Sequence, residues 1–186
     1  MQMIEAVGVL AGILAVYLLY KNNTLTWPVG FVNIGCFIWL FLNERLYGDL
    51  AVQLLFLVSG IWGWFNWKNK KGKNPTYLTR SNQVIWVLVT LLIIPFSSYF
   101  LINFTKCSFP IAESAILSLS ITGQFLTTFR KIENWYYWLA ADLLMIIVYT
   151  KKELYLTAIY ACVILCIGIF GVYRWRKISK VGQSAL

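Results

Sequence analysis

Seven long apolar stretches, separated by short polar segments, constrain what this chain of 186 residues can fold into. About 20 mostly apolar residues form a helix that crosses the roughly 30 Å hydrocarbon core of a bilayer. Hydrophobic residues make up 60% of the chain and charged residues only 12%, against about a quarter charged in soluble domains. The sequence therefore predicts an all-α integral membrane protein with seven transmembrane helices. The predicted spans are residues 3–20, 27–43, 50–67, 84–102, 111–128, 135–150 and 154–173.

The residue inventory offers little for catalysis or metal binding. The chain contains no His, which removes the usual proton carrier near neutral pH and the common Ser–His and Cys–His pairs. Its four Cys include no Cys-x-x-Cys motif, so the common zinc ligand sets are not expected. We therefore predict no enzyme, no metal site and no cofactor. A transporter, or a seven-span sensor or assembly protein without transport, remains.

The 16 basic residues are distributed unevenly over the loops between the predicted spans. One side holds twelve: Lys21, Lys68, Lys70, Lys71, Lys73, Arg80, Arg130, Lys131, Arg174, Arg176, Lys177 and Lys180. The other side holds four: Arg45, Lys106, Lys151 and Lys152. Because cytoplasmic loops carry the excess of Lys and Arg, the N-terminus is predicted outside and the C-terminus in the cytoplasm. Membrane lipids with anionic headgroups are the expected partner of these charges, and nucleic acid is not.

An ungapped shift of 108 residues pairs the first three predicted spans with the last three. Trp, Gly and Glu matches are harder to obtain by chance than aliphatic ones: Trp27 with Trp135, Trp67 with Trp175, Gly60 with Gly168, Gly63 with Gly171, and Glu5 with Glu113. With the fourth span between them, the halves form a parallel 3+1+3 arrangement, which is typical of transporters with a substrate site near the midplane. The predicted units are residues 1–67, a loop and linker helix at 68–109, residues 110–176, and a cytoplasmic tail at 177–186.

The sixth predicted span carries the clearest candidate site. Trp135, Trp138 and Asp142 are spaced i, i+3 and i+7, which places them on one helical face. Asp142 lies roughly 10 Å deeper than Trp135, at 1.5 Å per residue. A carboxylate at that depth needs a cationic partner, and aromatic faces bind flat cations. The alternatives are an interfacial aromatic belt for the two Trp, and a protonated carboxyl or a proton-coupling group for Asp142.

Three carboxamide side chains also lie inside predicted spans: Asn33, Gln53 and Gln124. They are candidates for binding the hydroxyl or amide groups of a substrate. Hydrogen bonds between helices are the alternative role for such residues.

The chain resembles the PnuC family of bacterial vitamin transporters along nearly its whole length. The likeness lies in MIEAVGVLAGILAVYL, GFVNIGCFIW, LYGDLAVQLLFLVSGIWGWFNW and RKIENWYYWLAADLL, which contains a WxxW motif. The resemblance implies a fold related to that of SWEET sugar transporters, in the bacterial inner membrane. It also implies facilitated diffusion of nicotinamide riboside with alternating access, and a cytoplasmic kinase whose phosphorylation of the substrate makes uptake one-way. It assigns Trp135 and Trp138 to a sandwich around the pyridinium ring.

One residue departs from the family pattern: Asp142 stands where nicotinamide riboside carriers often have Asn. The family also includes thiamine transporters and a riboflavin branch. Nicotinamide riboside and thiamine are both cations, so charge does not separate them, whereas neutral isoalloxazine gives Asp142 no partner. We expect nicotinamide riboside, with thiamine as the alternative. Ion coupling, the oligomeric state (a homo-oligomer is open) and the gating residues are not readable from the sequence.

Overall fold

Seven α-helices build the molecule, which was analysed as a computed structural model describing residues 2–44, 47–69, 74–105 and 107–184. The helices are α1 (Gln2–Tyr20), α2 (Thr26–Asn43), α3 (Tyr47–Asn69), α4 (Arg80–Phe104), α5 (Pro110–Thr128), α6 (Asn134–Lys151) and α7 (Tyr155–Ser184). They coincide in order and position with the seven apolar stretches, and the all-α prediction is confirmed. Five basic residues used to predict orientation lie outside the described residues: Arg45, Lys70, Lys71, Lys73 and Lys106.

Five of the helices in the described part of the chain are long and apolar enough to cross a membrane: α1, α2, α3, α4 and α7. Helices α5 and α6 are 19 and 18 residues long but more polar. Ser114, Ser118 and Thr122 of α5 are buried, and the Thr122 hydroxyl lies 2.8 Å from that of Thr90 on α4. Because neighbouring helices cover these polar groups, α5 needs less apolar surface than a helix that faces lipid.

The helices pack in an order that repeats itself. Helix α2 packs between α1 and α3, and α6 packs between α5 and α7. The two sets join through α1 against α7 and α3 against α5, while α4 packs on α5. A shift of 108 residues relates the contact of α1 with α2 to that of α5 with α6, and the contact of α2 with α3 to that of α6 with α7. It also relates the contact of α1 with α7 to that of α5 with α3, whereas the contact of α4 with α5 has no counterpart in this set.

The core lies where the two sets of three helices meet, and four Trp dominate it. Trp67 and Trp175 are fully buried with ring centroids 6.1 Å apart. Trp27 meets Trp67 edge-on at 5.6 Å, and Trp135 meets Trp175 edge-on at 5.5 Å, each at an interplanar angle of 87°. We refer to these four residues as the tryptophan cluster. Its two pairs have the same geometry, as the repeat at a shift of 108 requires.

Two hydrogen bonds of the tryptophan cluster cross between the halves. The indole Nε1 of Trp67 donates to the carbonyl of Thr127 at 3.1 Å, and that of Trp175 donates to the carbonyl of Leu19 at 3.0 Å. Residues 19 and 127 are themselves 108 apart, so each half binds the other through the same contact. The cluster therefore holds the halves together by buried apolar area and by directed bonds.

Glycines on the third helix of each half make room for the outer indoles of the cluster. A Cβ atom built on Gly63 would lie 2.4 Å from the ring of Trp27, and one on Gly171 would lie 2.6 Å from the ring of Trp135. No side chain fits at these distances, so the helices approach this closely only because both positions are glycine.

Candidate functional site

The candidate stripe on α6 divides between two environments. Trp135 is 1% exposed and belongs to the tryptophan cluster. Trp138 is only partly buried. The spacing predicts both residues on one face of α6, and the structure adds that Trp138, one turn further along, is less buried than Trp135.

Trp138 packs against residues of α3 and α5. Its ring lies 6.4 Å from that of Phe56, at 67°, and its Nε1 donates to the hydroxyl of Thr127 at 3.3 Å. A Cβ on Gly123 would lie 3.1 Å from the indole. Contacts on its edge and on one side thus hold the ring in a defined orientation, which is what a stacking platform for a flat ligand requires.

Asp142 is 5% exposed, and its Oδ2 is buried without a hydrogen-bond partner among the described residues. It forms no ion pair there either, since the ion pair found joins Lys152 and Glu113. A buried carboxylate without a positive partner is costly in a membrane. Asp142 therefore stays a candidate for binding a cation, for a protonated carboxyl or for proton coupling.

Tyr160 on α7 lies within electrostatic range of Asp142. Its hydroxyl also approaches α1, because a Cβ built on Gly12 would lie 2.8 Å from the Tyr160 oxygen. The same Cβ would lie 2.8 Å from Nδ2 of Asn33. Gly12 thus lets Asn33 and Tyr160 both approach one point of α1. The sequence did not indicate Tyr160 as a candidate site residue, because a Tyr within an apolar stretch forms no distinguishing pattern.

The three carboxamides have different surroundings. Asn33 donates through Nδ2 to the carbonyl of Gly8 at 2.8 Å, a bond between α2 and α1. Gln53 is partly buried, and its Oε1 is buried without a partner within the described residues. It lies one turn before Phe56 on α3, and residues three apart share a helix face, so Gln53 faces the same region as Trp138.

Gln124 is partly buried on α5, next to the glycine that contacts Trp138. In the described part of the chain, no three His, Cys, Asp or Glu residues come together to hold a metal ion. The groups available are a carboxylate, indole faces, carboxamides and a phenol. Together they suit a planar organic cation that carries hydrogen-bonding substituents.

Comparison with known proteins places the chain among vitamin transporters. A family model described as nicotinamide mononucleotide transporter matches residues 2–177. The chain is 22% identical to the nicotinamide riboside transporter PnuC of Escherichia coli, over 98% of this chain and 89% of the relative. It is 21% identical to PnuC of Neisseria mucosa, over 95% and 73%. Its fold is similar to the crystal structure of the vitamin B3 transporter PnuC, with a TM-score of 0.79, 19% identity, and coverage of 96% and 82%.

Proposed function

This chain belongs to the nicotinamide mononucleotide transporter family, and from that premise we propose that it carries nicotinamide riboside across the membrane by facilitated diffusion. The family is one of membrane transporters, which confirms that the chain is a transporter and not an enzyme. Nicotinamide riboside is the molecule named for the relatives in Escherichia coli and Neisseria mucosa. The proposal for this chain rests on the chemistry of its own candidate site.

The substrate proposal rests on one observation: Oδ2 of Asp142 is buried and has no hydrogen-bond partner among the described residues. The pyridinium ring of nicotinamide riboside is a permanent planar cation, so it would neutralise this carboxylate. Trp138, one turn away, would stack on the ring and add about 0.5–2 kcal/mol through its quadrupole. Gln53 and Tyr160 would then bind the carboxamide or the ribose hydroxyls.

The proposed mechanism is alternating access between two halves in a 3+1+3 arrangement related to that of SWEET transporters. The pairing of helix contacts at a shift of 108 supports it, since two related halves can rock about a site between them. In this scheme all seven helices span the bacterial inner membrane, with the N-terminus outside and the C-terminus inside. A cytoplasmic kinase would phosphorylate the substrate and prevent its return.

The test is binding by the purified protein in nanodiscs, titrated separately with nicotinamide riboside and with thiamine. We expect saturable binding of nicotinamide riboside. Asp142→Asn removes the negative charge beside the ring and should weaken thiamine binding strongly. The loss for nicotinamide riboside should be smaller, because carriers of that molecule often have Asn at this position. The matched control is Glu153→Gln, which removes an exposed carboxylate after α6 and should leave the affinity unchanged.

Two results would contradict the substrate proposal. Absence of saturable nicotinamide riboside binding would exclude it, and tighter binding of thiamine would replace it with the thiamine alternative. Uptake into proteoliposomes tests the mechanism separately. At zero membrane potential, facilitated diffusion predicts accumulation only up to the outside concentration, whereas uptake driven by an imposed proton gradient at the same clamped potential would indicate proton coupling.

A further inference from the structure

A cavity of about 380 Å³ lies where the end of α3, the connection to α4 and the loop between α5 and α6 meet. Its lining is Asn66, Trp67, Asn74, Thr76, Phe129, Arg130 and Lys131. This lining holds two cationic side chains, two carboxamides and a hydroxyl, without an acidic side chain. We propose that this cavity binds a phosphate group, carried either by a soluble phosphate monoester or by an anionic lipid headgroup.

The guanidinium of Arg130 is held in a fixed plane at the cavity. Its central carbon lies 4.2 Å from the ring centroid of Trp67, and its Nη2 donates to the Trp67 carbonyl at 3.4 Å. Arg130 is 8% exposed, and burial lowers its pKa from the ordinary value. A planar, oriented guanidinium matches two oxygens of a phosphate.

The backbone of Arg130 adds an independent argument. Its φ is 52°, and that of Asn22, the equivalent residue 108 positions earlier, is 54°. This left-handed conformation costs most side chains about 1–2 kcal/mol, whereas Asn tolerates it through local hydrogen bonds. The first half therefore has a residue suited to the turn, and the second half has one that is not. The contacts of the Arg130 side chain with Trp67 give one reason for a residue other than Asn at this turn, and an anion bound by the guanidinium would give a second.

Lys131 and Thr76 complete a stiff rim around the cavity. The Lys131 Nζ donates to the Thr76 hydroxyl at 2.9 Å. The backbone N–H of Thr76 donates to the Arg130 carbonyl at 3.1 Å, and that of Ile132 donates to the Thr76 carbonyl at 3.0 Å. These bonds form a short parallel bridge, so the donors are positioned before a ligand arrives.

One carboxylate oxygen of Glu133, the acidic residue nearest in sequence, is bound elsewhere, and the other is buried without a hydrogen-bond partner among the described residues. Its Oε1 accepts from the backbone N–H of Leu78 at 3.0 Å and from Nε2 of Gln83 at 3.1 Å. It does not line the cavity. The charges at the lining are therefore those of Arg130 and Lys131.

The size of the cavity narrows the class of ligand. Pockets for small organic molecules occupy about 300–1,000 Å³, and this one falls in that range. It has room for a phosphate with an organic group attached, such as a sugar or a glycerol. This favours a phosphate monoester or a lipid headgroup over a bare ion, although inorganic phosphate serves as a probe of the shared chemistry.

The experiment uses the full chain in dodecyl maltoside, which contains no phosphate. One arm adds inorganic phosphate and the other adds short-chain phosphatidylglycerol, and both follow thermal unfolding against sodium chloride at equal ionic strength. We expect a saturable rise in Tm in at least one arm. A response to phosphate alone would assign a soluble ligand, and a response to phosphatidylglycerol alone would assign a lipid headgroup.

The decisive variant is Arg130→Asn, which installs the residue found at the equivalent turn. It should weaken the affinity at least tenfold. Its Tm without ligand, in which relieved backbone strain opposes the loss of the Trp67 contacts, serves as the baseline of the titration. Lys131→Gln, which leaves the strained position unchanged, should weaken binding as well. The control Lys68→Gln removes an exposed charge at the end of α3 and should bind as the parent does. A lack of saturation in both arms, or parental affinity in Arg130→Asn, would overturn the proposal.

Discussion

Helices α2 and α6 occupy equivalent places in the two halves of the molecule but differ along one face. Where α6 carries Trp138 and Asp142, α2 carries Gly30 and Ile34. One turn earlier, both helices carry a Trp, and both indoles pack over a glycine of the next helix. The halves thus share the residues that pack them together and differ in the residues that a ligand would use.

This difference helps to separate roles within the WxxW motif. Trp135 has an equivalent in Trp27 with the same edge-on contact and nearly complete burial. Trp138 has no aromatic equivalent, and a Cβ on Gly30 would meet no atom within 4 Å. The packing role of Trp135 thus has a counterpart in the first half, whereas Trp138 has none, and both residues stay candidates for substrate binding.

The largest expected effect concerns the glycines that both halves share. Gly63→Ala and Gly171→Ala place a methyl group 2.4 Å and 2.6 Å from an indole, and each should destabilise the protein by about 3 kcal/mol, as severe overpacking does. Thermal unfolding and size-exclusion chromatography would measure it. The control Gly30→Ala enters open space and should be neutral or stabilising. If Gly63→Ala or Gly171→Ala left the stability of the protein unchanged, the two halves would not be packed in the same way.

A second, smaller effect concerns the hydrogen bonds that cross between the halves. Trp67→Phe and Trp175→Phe each remove one N–H···O bond and part of a fully buried ring. Each should cost about 2 kcal/mol, because each loses a buried hydrogen bond and leaves a small cavity, although both carbonyls keep a bond from a backbone N–H. Denaturant titration would compare them with Trp39→Phe, an exposed position on α2. Costs that differ widely between the two would mean that the halves are not held symmetrically.

A third prediction sharpens the difference between the two Trp of α6. Trp138→Phe should weaken substrate binding about fivefold, equal to ~1 kcal/mol, because Phe is a weaker cation-binding face than Trp. Trp135→Phe should act as Trp27→Phe does, lowering the Tm with a smaller change in affinity. Calorimetric titration beside thermal unfolding measures both quantities. If Trp135→Phe weakened binding as much as Trp138→Phe at unchanged Tm, both rings would contact the substrate.

The smallest effect concerns an ion pair present in one half. Lys152 pairs with Glu113 at the ends of α6 and α5, whereas the equivalent residues of the first half, Glu44 and Glu5, are both acidic. Lys152→Met should cost about 0.5 kcal/mol, the usual contribution of a partly exposed pair. Glu44→Gln should change the unfolding midpoint less. A loss of unfolding free energy well above this value for Lys152→Met would show that the ion pair stabilises the second half more than a partly exposed pair usually does.

Much of the fold could be predicted from the sequence, whereas part of the candidate site could not. The apolar stretches located all seven helices, because hydropathy over 20 residues is a local property. Helix α7 nevertheless continues to Ser184, so the predicted tail is helical over much of its length. Hydropathy identifies only the apolar part of a helix, and a polar extension of the same helix gives no such signal.

The spacing of Trp135, Trp138 and Asp142 correctly placed them on one side of α6, because 3.6 residues form a turn. Spacing does not tell which neighbour covers each turn of that side. Only the docking of α7 buries Trp135 against Trp175, and only the approach of α3 brings Phe56 to Trp138. The approach of Tyr160 to Asn33 beside Gly12 likewise depends on contacts between residues far apart in the chain.

The sequence by itself determined the membrane class and the positions of the helices, and it predicted the internal repeat. These follow from composition and from periodicities within one or a few turns. The tertiary structure alone decided which Trp belongs to the core, which carboxylate oxygen lacks a partner, and where two cations line a cavity. Such features depend on the relative placement of several helices, and that placement is set by side-chain packing between segments that no local pattern connects.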